Sequence, residues 1–255
     1  MGVCFGGGFM TTDLGNHAMP PEARQVLKDL GVAIPDQTSA QLACYLDLLL
    51  AANKHFNLTA VRDRDQAWRR LIVDSLTLLA EQDDLPQGAS VIDVGSGGGL
   101  PGLPLAVARG DLRVTLLEAT GKKARFLDRC VGDLSLASVR VVHGRAETIG
   151  QDPSHRQVYD VAVCRAVGPM NRVLEYLLPL VRVGGHALVM KGPKVEQELA
   201  EVGDALDLLG AGDLQVYDAY PEGCGYDMVI VRVAKDRPTP KLYPRQPGVP
   251  KQSPL

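Results

Sequence analysis

The sequence predicts an α/β fold: a parallel sheet with an antiparallel C-terminal hairpin, preceded by N-terminal helices. Three observations carry this. From residue 90 onward, short apolar runs alternate with segments of helical periodicity, the pattern of a parallel sheet covered on both faces. The first of these runs leads straight into a glycine loop. The last two, Leu214 to Tyr220 and Tyr226 to Val233, have no helix between them, only a gap holding Pro221, Gly223 and Gly225, so they read as a hairpin.

Residues 1–20 are expected to be disordered. Residues 21–88 form an N-terminal helical region. Within it Thr38 and Gln41 suit a capping box, and Leu42, Tyr45, Leu46 and Leu49 then make one apolar stripe. Trp68, Leu71, Ile72, Ser75, Leu76 and Leu79 make another, and Pro86 and Gly88 mark a linker. The core spans 89–234. Its strands are expected at Val91 to Val94, Val114 to Glu118, Val139 to His143, Asp160 to Arg165 and Ala187 to Lys191. Helices are expected near 101–109, 122–132, 170–182 and Val195 to Leu209. Residues 235–255 are a basic, proline-rich C-terminal tail, expected to be extended rather than helical. This order of elements is the layout of the Rossmann-like, S-adenosylmethionine-dependent methyltransferase fold.

Composition excludes several classes. Of 255 residues, 45% are hydrophobic and 22% charged, which suits a globular chain with a sizeable core. With 27 basic against 30 acidic residues the net charge is −3, so any nucleic-acid contact must use local patches. Cys4, Cys44, Cys130, Cys164 and Cys224 are scattered and include no C-x-x-C pair. A disulfide framework and a zinc ribbon are both disfavoured, and a cytoplasmic setting fits best. There is no H-E-x-x-H, and no catalytic metal is expected. No apolar run approaches the roughly 18 residues that would suggest a membrane span.

The central motif runs from Val91 to Gly102, with Asp93, Gly95, Gly97, Gly98, Gly99 and Leu100 in the loop and Pro101 where a helix should start. Glycines permit positive φ and close approach of a ligand, and amides at a helix start can hold a carboxylate. Gly97-x-Gly99-x-x-Gly102 satisfies the dinucleotide pattern, but in poor register. Gly95 already occupies the place of the first glycine, and counted from there the third position is Leu100. Asp93-x-Gly95-x-Gly97-x-Gly99 resembles the methyltransferase loop instead. Glu118 ends the second strand, 23 residues after Gly95, where an acid can accept from both ribose hydroxyls. Dinucleotide enzymes share that feature, so Glu118 indicates a nucleoside cofactor without choosing one.

After strand four the chain reads Val163-Cys164-Arg165-Ala166-Val167. It lacks the Asn/Asp-Pro-Pro-aromatic motif of exocyclic amine methylases and the Pro-Cys nucleophile of cytosine C5 enzymes. Cys164 is read as a packed strand residue. The acceptor then requires neither a covalent adduct nor an obvious base.

Many separate motifs follow one another in order. They are Phe56-Asn57-Leu58-Thr59, Asp74-Ser75-Leu76, the loop Asp93 to Gly102 with Pro104-Leu105, and Leu117-Glu118 with Lys122-Lys123 and Phe126-Leu127. Then come Gly144-Arg145-Ala146-Glu147, Arg165-Ala166-Val167, Lys191-Gly192, Tyr243-Pro244-Arg245 and Gly248-x-Pro250-Lys251. From about residue 56 onward the chain resembles the GidB/RsmG family, bacterial small-subunit ribosomal RNA guanine-N7 methyltransferases. One departure is Leu71 after Arg70, where the family usually has histidine, so no role for that histidine is carried over.

The resemblance implies S-adenosyl-L-methionine as cofactor, lined by Asp93, Gly95, Gly97 and Leu100, with Glu118 on the ribose and Ala146-Glu147 against the adenine. Arg165 is the candidate for contact with the methionine end of the cofactor or with RNA, and no catalytic residue beyond it is expected. Guanine N7 has a lone pair and no proton to lose, so direct in-line attack suffices. The implied partner is small-subunit ribosomal RNA or the subunit, with no DNA, no membrane and a monomeric chain. Candidate RNA contacts are Arg69, Arg70, Lys122, Lys123, Lys191, Arg245 and Lys251. A methyltransferase with another acceptor, or an RNA-binding assembly factor that kept a cofactor fold, remain alternatives.

Overall fold

A computed structural model describes residues 18–81, 83–220 and 227–255. The expectations for residues 1–17 and for the hairpin turn therefore lie outside the described residues. Met19, expected in a disordered leader, is instead buried, and its amide donates to Ser39 Oγ at 3.0 Å.

Helices α1 (Pro21–Asp29) and α2 (Asp36–Asn53) come first. The expected capping box does not form. Helix α2 starts two residues before Thr38, with Pro35 at the N-cap and no side-chain cap, and Gln41 instead donates to the Leu134 carbonyl at 2.8 Å. The stripe Leu42, Tyr45, Leu46, Leu49 is fully buried, as its spacing predicts. After a loop over 54–63 comes a third helical stretch, itself unbroken from 64 to 79. It comprises α3 (Arg64–Ala67), a π-helical turn (Trp68–Val73), α4 (Asp74–Leu76) and a 3-10 turn (Thr77–Leu79). Residues 71–78 are all buried, which one amphipathic stripe cannot achieve; this stretch is enclosed on every side.

The sheet has seven strands: β1 (Ser90–Val94), β2 (Arg113–Glu118), β3 (Val139–His143), β4 (Tyr159–Arg165), β5 (Val181–Lys191), β6 (Ala211–Asp218) and β7 (Val229–Lys235). Their spatial order is β3-β2-β1-β4-β5-β7-β6. The first five run parallel, and β7 inserts antiparallel between β5 and β6. Strand β5 starts six residues earlier than its apolar run, because Val181 pairs with Tyr159 across a bulge.

Alternate strand residues enter opposite cores. Val91, Val161 and Val163 join the core under α1, α2, the 68–78 stretch, α5 (Gly102–Ala108) and α6 (Gly121–Asp133). Ile92, Val94, Ala162 and Cys164 join the other. That second face carries α7 (Ala146–Ile149), α8 (Met170–Leu177), α9 (Val195–Ala200) and α10 (Ala205–Leu209). The single helix expected from Val195 to Leu209 is thus two, parted at Gly203, which has φ +54°.

The tail departs most from expectation. It ends in a helical turn, α11 (Val249–Gln252), and it is clamped to the core. The Arg156 guanidinium donates to the carbonyls of Thr239, Pro240 and Tyr243 at 2.7–3.0 Å. Tyr243 is buried, whereas Leu242 is 68% exposed. Arg245, a candidate RNA contact, is half-buried and committed to an ion pair. Its Nη2 and Nε pair with Glu175 at 2.6 and 2.9 Å, and its amide adds a third bond at 2.8 Å. Glu175 itself is fully buried.

Removing one partner of a buried pair strands the other charge, at a cost of about 3–5 kcal/mol. Arg245→Ala is expected to lower the melting temperature by roughly 6–20 °C, on about 2–4 °C per kcal/mol for a chain of this size. Arg245→Met with Glu175→Leu should lower it much less. Equal losses in calorimetry would contradict the stranded-charge account.

Candidate active site

The strand order reverses between β1 and β4, and ligands of such sheets bind outside the carboxyl ends of the strands at that switch point. The glycine loop leaves β1 there. Gly95 and Ser96 donate to the Leu117 carbonyl at 2.8 and 3.1 Å, turning the chain over the end of β2. Gly95, Gly97 and Gly99 all have positive φ.

Glu118 holds this loop in place. One carboxylate oxygen accepts from the Gly97 amide at 2.9 Å and the other from Thr120 at 2.7 Å. Each oxygen keeps further lone-pair capacity for a hydroxyl donor. The N-terminal layer supports the loop from behind, through the Tyr45 hydroxyl on the Gly98 carbonyl at 2.8 Å.

Asp93 differs from its expected role. It is fully buried beneath the loop, not on the crevice wall. Its Oδ2 accepts from the Gly102 amide at 2.9 Å, and Oδ1 has no partner. Gly102 permits this approach: a Cβ there would sit 2.4 Å from a Leu116 methyl and 2.8 Å from Asp93 Oδ2. Asp93 therefore ties β1 to the start of α5 and shapes the loop from below.

Leu100 and Ala146 are half-buried. Glu147 is buried on α7, and one of its oxygens accepts from the Gly248 amide of the tail at 3.1 Å.

Beyond β4 and β5 opens a cavity of about 680 Å³. Arg165 lines it and pairs with Asp74 at 2.7 Å, and the Tyr220 hydroxyl donates to the other Asp74 oxygen. Burial pushes the Asp74 carboxyl up, and the Arg165 guanidinium offsets this only in part. Asp74 and Tyr220 carry no assigned role in the sequence reading. The only local signal was the motif Asp74-Ser75-Leu76, because Tyr220 lies 146 positions from Asp74. The cavity adjoins the glycine loop: a Cβ on Gly95 would come within 3.0 Å of Val167, just after β4.

The structure separates the candidate RNA contacts. Arg70 and Lys191 line the cavity, although Lys191 Nζ already donates to Glu198 and to the Gly168 carbonyl. Arg69 is exposed next to Arg70. Exposed Lys122 borders a separate apolar cleft of about 480 Å³ walled by Leu48, Phe56 and Phe126, while Lys123 is half-buried. Lys251 is exposed on α11. Cys164 is buried, and burial pushes its thiol up to about 12, so it is inert.

The family model of GidB, described as rRNA small subunit methyltransferase G, matches residues 38–221. The chain belongs to this family. A ribosomal RNA small subunit methyltransferase G from Moorella thermoacetica is 40% identical over 228 residues, covering 89% of this chain and 95% of that one. One from Leuconostoc citreum is 42% identical over 230 residues, covering 90% and 96%. Among solved structures, the YcgJ protein from Bacillus subtilis matches with a TM-score of 0.50 at 12% identity, over 64% of this chain and 98% of that one, a likeness of fold alone. The GidB match takes in the glycine loop, Glu118, Arg165, Asp74 and Tyr220.

Asp93 links folding stability to pH. Burial pushes its carboxyl up to about 7. The folded state thus keeps a proton that the unfolded state releases near pH ~4. That stabilising contribution is complete below about pH 4 and is lost as pH rises through the folded value. The melting temperature of the wild type is expected to fall between about pH 4 and 7 relative to Asp93→Asn, which does not titrate, and to run parallel to it above that window. Parallel curves for the two proteins inside the window would refute the assignment.

Proposed function

We propose that this protein transfers a methyl group from S-adenosylmethionine to guanine N7 of small-subunit ribosomal RNA by direct in-line attack. The observation that carries the proposal is the pairing of two adjoining spaces: a glycine-lined crevice at the switch point and a polar cavity beside it. Family membership favours ribosomal RNA as the acceptor.

The crevice fits the cofactor. A Cβ on Gly97 would meet nothing nearer than the Gly95 carbonyl oxygen at 3.8 Å, so this side of the loop is open to a ligand. Glu118, fixed by two amides, is placed to take ribose hydroxyls, and Leu100 and Ala146 offer apolar surface to a purine. When bound, S-adenosylmethionine supplies a methyl group on a positively charged sulfur.

The chain's own task is then positioning. In direct attack the in-plane lone pair of guanine N7 would take the methyl group that bound S-adenosylmethionine supplies, and sulfur would keep the electrons of the broken bond. No proton moves, so no general base is needed. The residues must hold the base in line and exclude water. Arg165, Met190 and Met228 wall the cavity in which the base would lie.

Hydrogen bonds to a charged acceptor contribute about 1.5–3 kcal/mol. Glu118→Ala is therefore expected to weaken S-adenosylmethionine binding by about 10- to 100-fold in calorimetry; wild-type affinity would remove the crevice assignment.

The chemistry has its own test. Labelled methyl should enter ribosomal RNA from cells lacking this protein. The product should carry a cationic imidazole ring, so the strand should break at one guanine after mild reduction and aniline treatment. Cys164→Ser should retain substantial activity. Label in protein, or a folded, cofactor-binding but inactive Cys164→Ser, would contradict the proposal.

A further inference from the structure

We propose that Arg165 and Asp74 together read the Watson–Crick edge of the target base, Arg165 donating to O6 and Asp74 accepting from N1–H, and so select guanine over adenine. This rests on the proposed guanine acceptor and names how that same cavity recognises it.

The two side chains form one unit on the cavity wall. Arg165 Nη2 meets Asp74 Oδ2 at 2.7 Å, and the Tyr220 hydroxyl fixes the other carboxylate oxygen. Asp74 is 8% exposed, so its orientation is set by packing as well as by these bonds. Capacity remains on both partners. A carboxylate has about four acceptor sites and a guanidinium five donors. Arg165 Nη1 is buried and has no partner, a state that buried donors normally avoid.

A side-by-side donor and acceptor has a polarity. Guanine offers the matching order, the O6 acceptor beside the N1–H donor. Adenine offers the reverse, an amino donor beside the bare N1. It would place donor against donor and acceptor against acceptor, leaving buried polar groups unpaired. Sites built on such hydrogen bonds reject the wrong ligand far more strongly than apolar pockets do.

The grip also suits the chemistry. N7 lies on the imidazole side of the purine, so holding O6 and N1 leaves it uncovered. The base becomes cationic as it is methylated. Arg165 alone would oppose that charge, but paired with Asp74 it presents no net charge. The backbone next to the pair is held in an uncommon conformation: Ala166 also lines the cavity, with φ +55°. Such residues cluster at ligand sites.

The test uses the full-length protein and small ribosomal subunits purified from cells lacking it. Four quantities are measured for wild type, Asp74→Asn and Arg165→Lys: melting temperature, S-adenosylmethionine affinity, and kcat and KM for methyl transfer at the mapped guanine. Both variants are expected to bind the cofactor within about threefold of wild type. Asp74→Asn should lower kcat/KM at least 100-fold. Arg165→Lys keeps the charge and the ion pair but loses the second terminal nitrogen, and should lower it at least tenfold. Subunits carrying adenine at the target position add a readout that a structural role would not move: the guanine-to-adenine preference should narrow in Asp74→Asn. Either variant retaining more than a third of wild-type kcat/KM, or losing cofactor affinity in proportion to activity, overturns the proposal. If Asp74→Asn does not fold, Arg165→Lys alone decides. If wild type itself puts no methyl on guanine N7, the proposed function fails instead, and the two failures are distinct.

Discussion

The constraint on which the rest of the structure depends is that a parallel sheet must be covered on both faces. Strands β1 and β4 send alternate residues into two separate cores, so neither face can be left to water. The N-terminal helices supply much of one cover, together with α5 and α6. Helices α8 to α10 supply the other. With both faces closed, the carboxyl edge of the sheet remains as the place for chemistry. The reversal of strand order between β1 and β4 opens the crevice there.

What lies on that edge was legible wherever the signal is local. The glycine loop announces itself in eight residues, and Glu118 follows from the end of the next strand. The burial of Cys164 follows from its place in an apolar run. The hairpin follows from a missing helix. Local signals also mislead. Thr38 and Gln41 have capping spacing, but Pro35 lies three residues earlier and opens the helix first. The apolar pattern from Val195 to Leu209 is continuous, but Gly203 adopts a left-handed conformation and divides it.

The cluster of Asp74, Arg165 and Tyr220 was not legible, because its members come from the N-terminal helices, the end of β4 and the segment after β6. Only the folded sheet brings them together. The docking of the tail is hidden from the sequence for the same reason. Six prolines and several cations between 235 and 255 look like a solvated, extended strand. The carboxylate that neutralises Arg245 lies 70 positions upstream and inside the core, and the guanidinium that gathers the tail carbonyls is Arg156. A charge is exposed or paired according to its neighbours in space, which a spacing pattern does not contain.

The clamp on the tail bears on the order in which the chain can fold during synthesis. Strands β1 to β7 and helix α8 are all made before residue 239. Until the segment from Thr239 to Gly248 has followed, Glu175 has no counter-charge, Arg156 lacks its three tail acceptors, and Glu147 lacks the Gly248 amide. The sheet can pair early and α8 can dock its apolar face on it, but the tail contacts of Glu147 on α7 and Glu175 on α8 form only then. Completion of the surroundings of Glu147 is therefore a late event. A nascent chain paused before this segment would hold the glycine loop and Glu118 without the finished wall around Glu147.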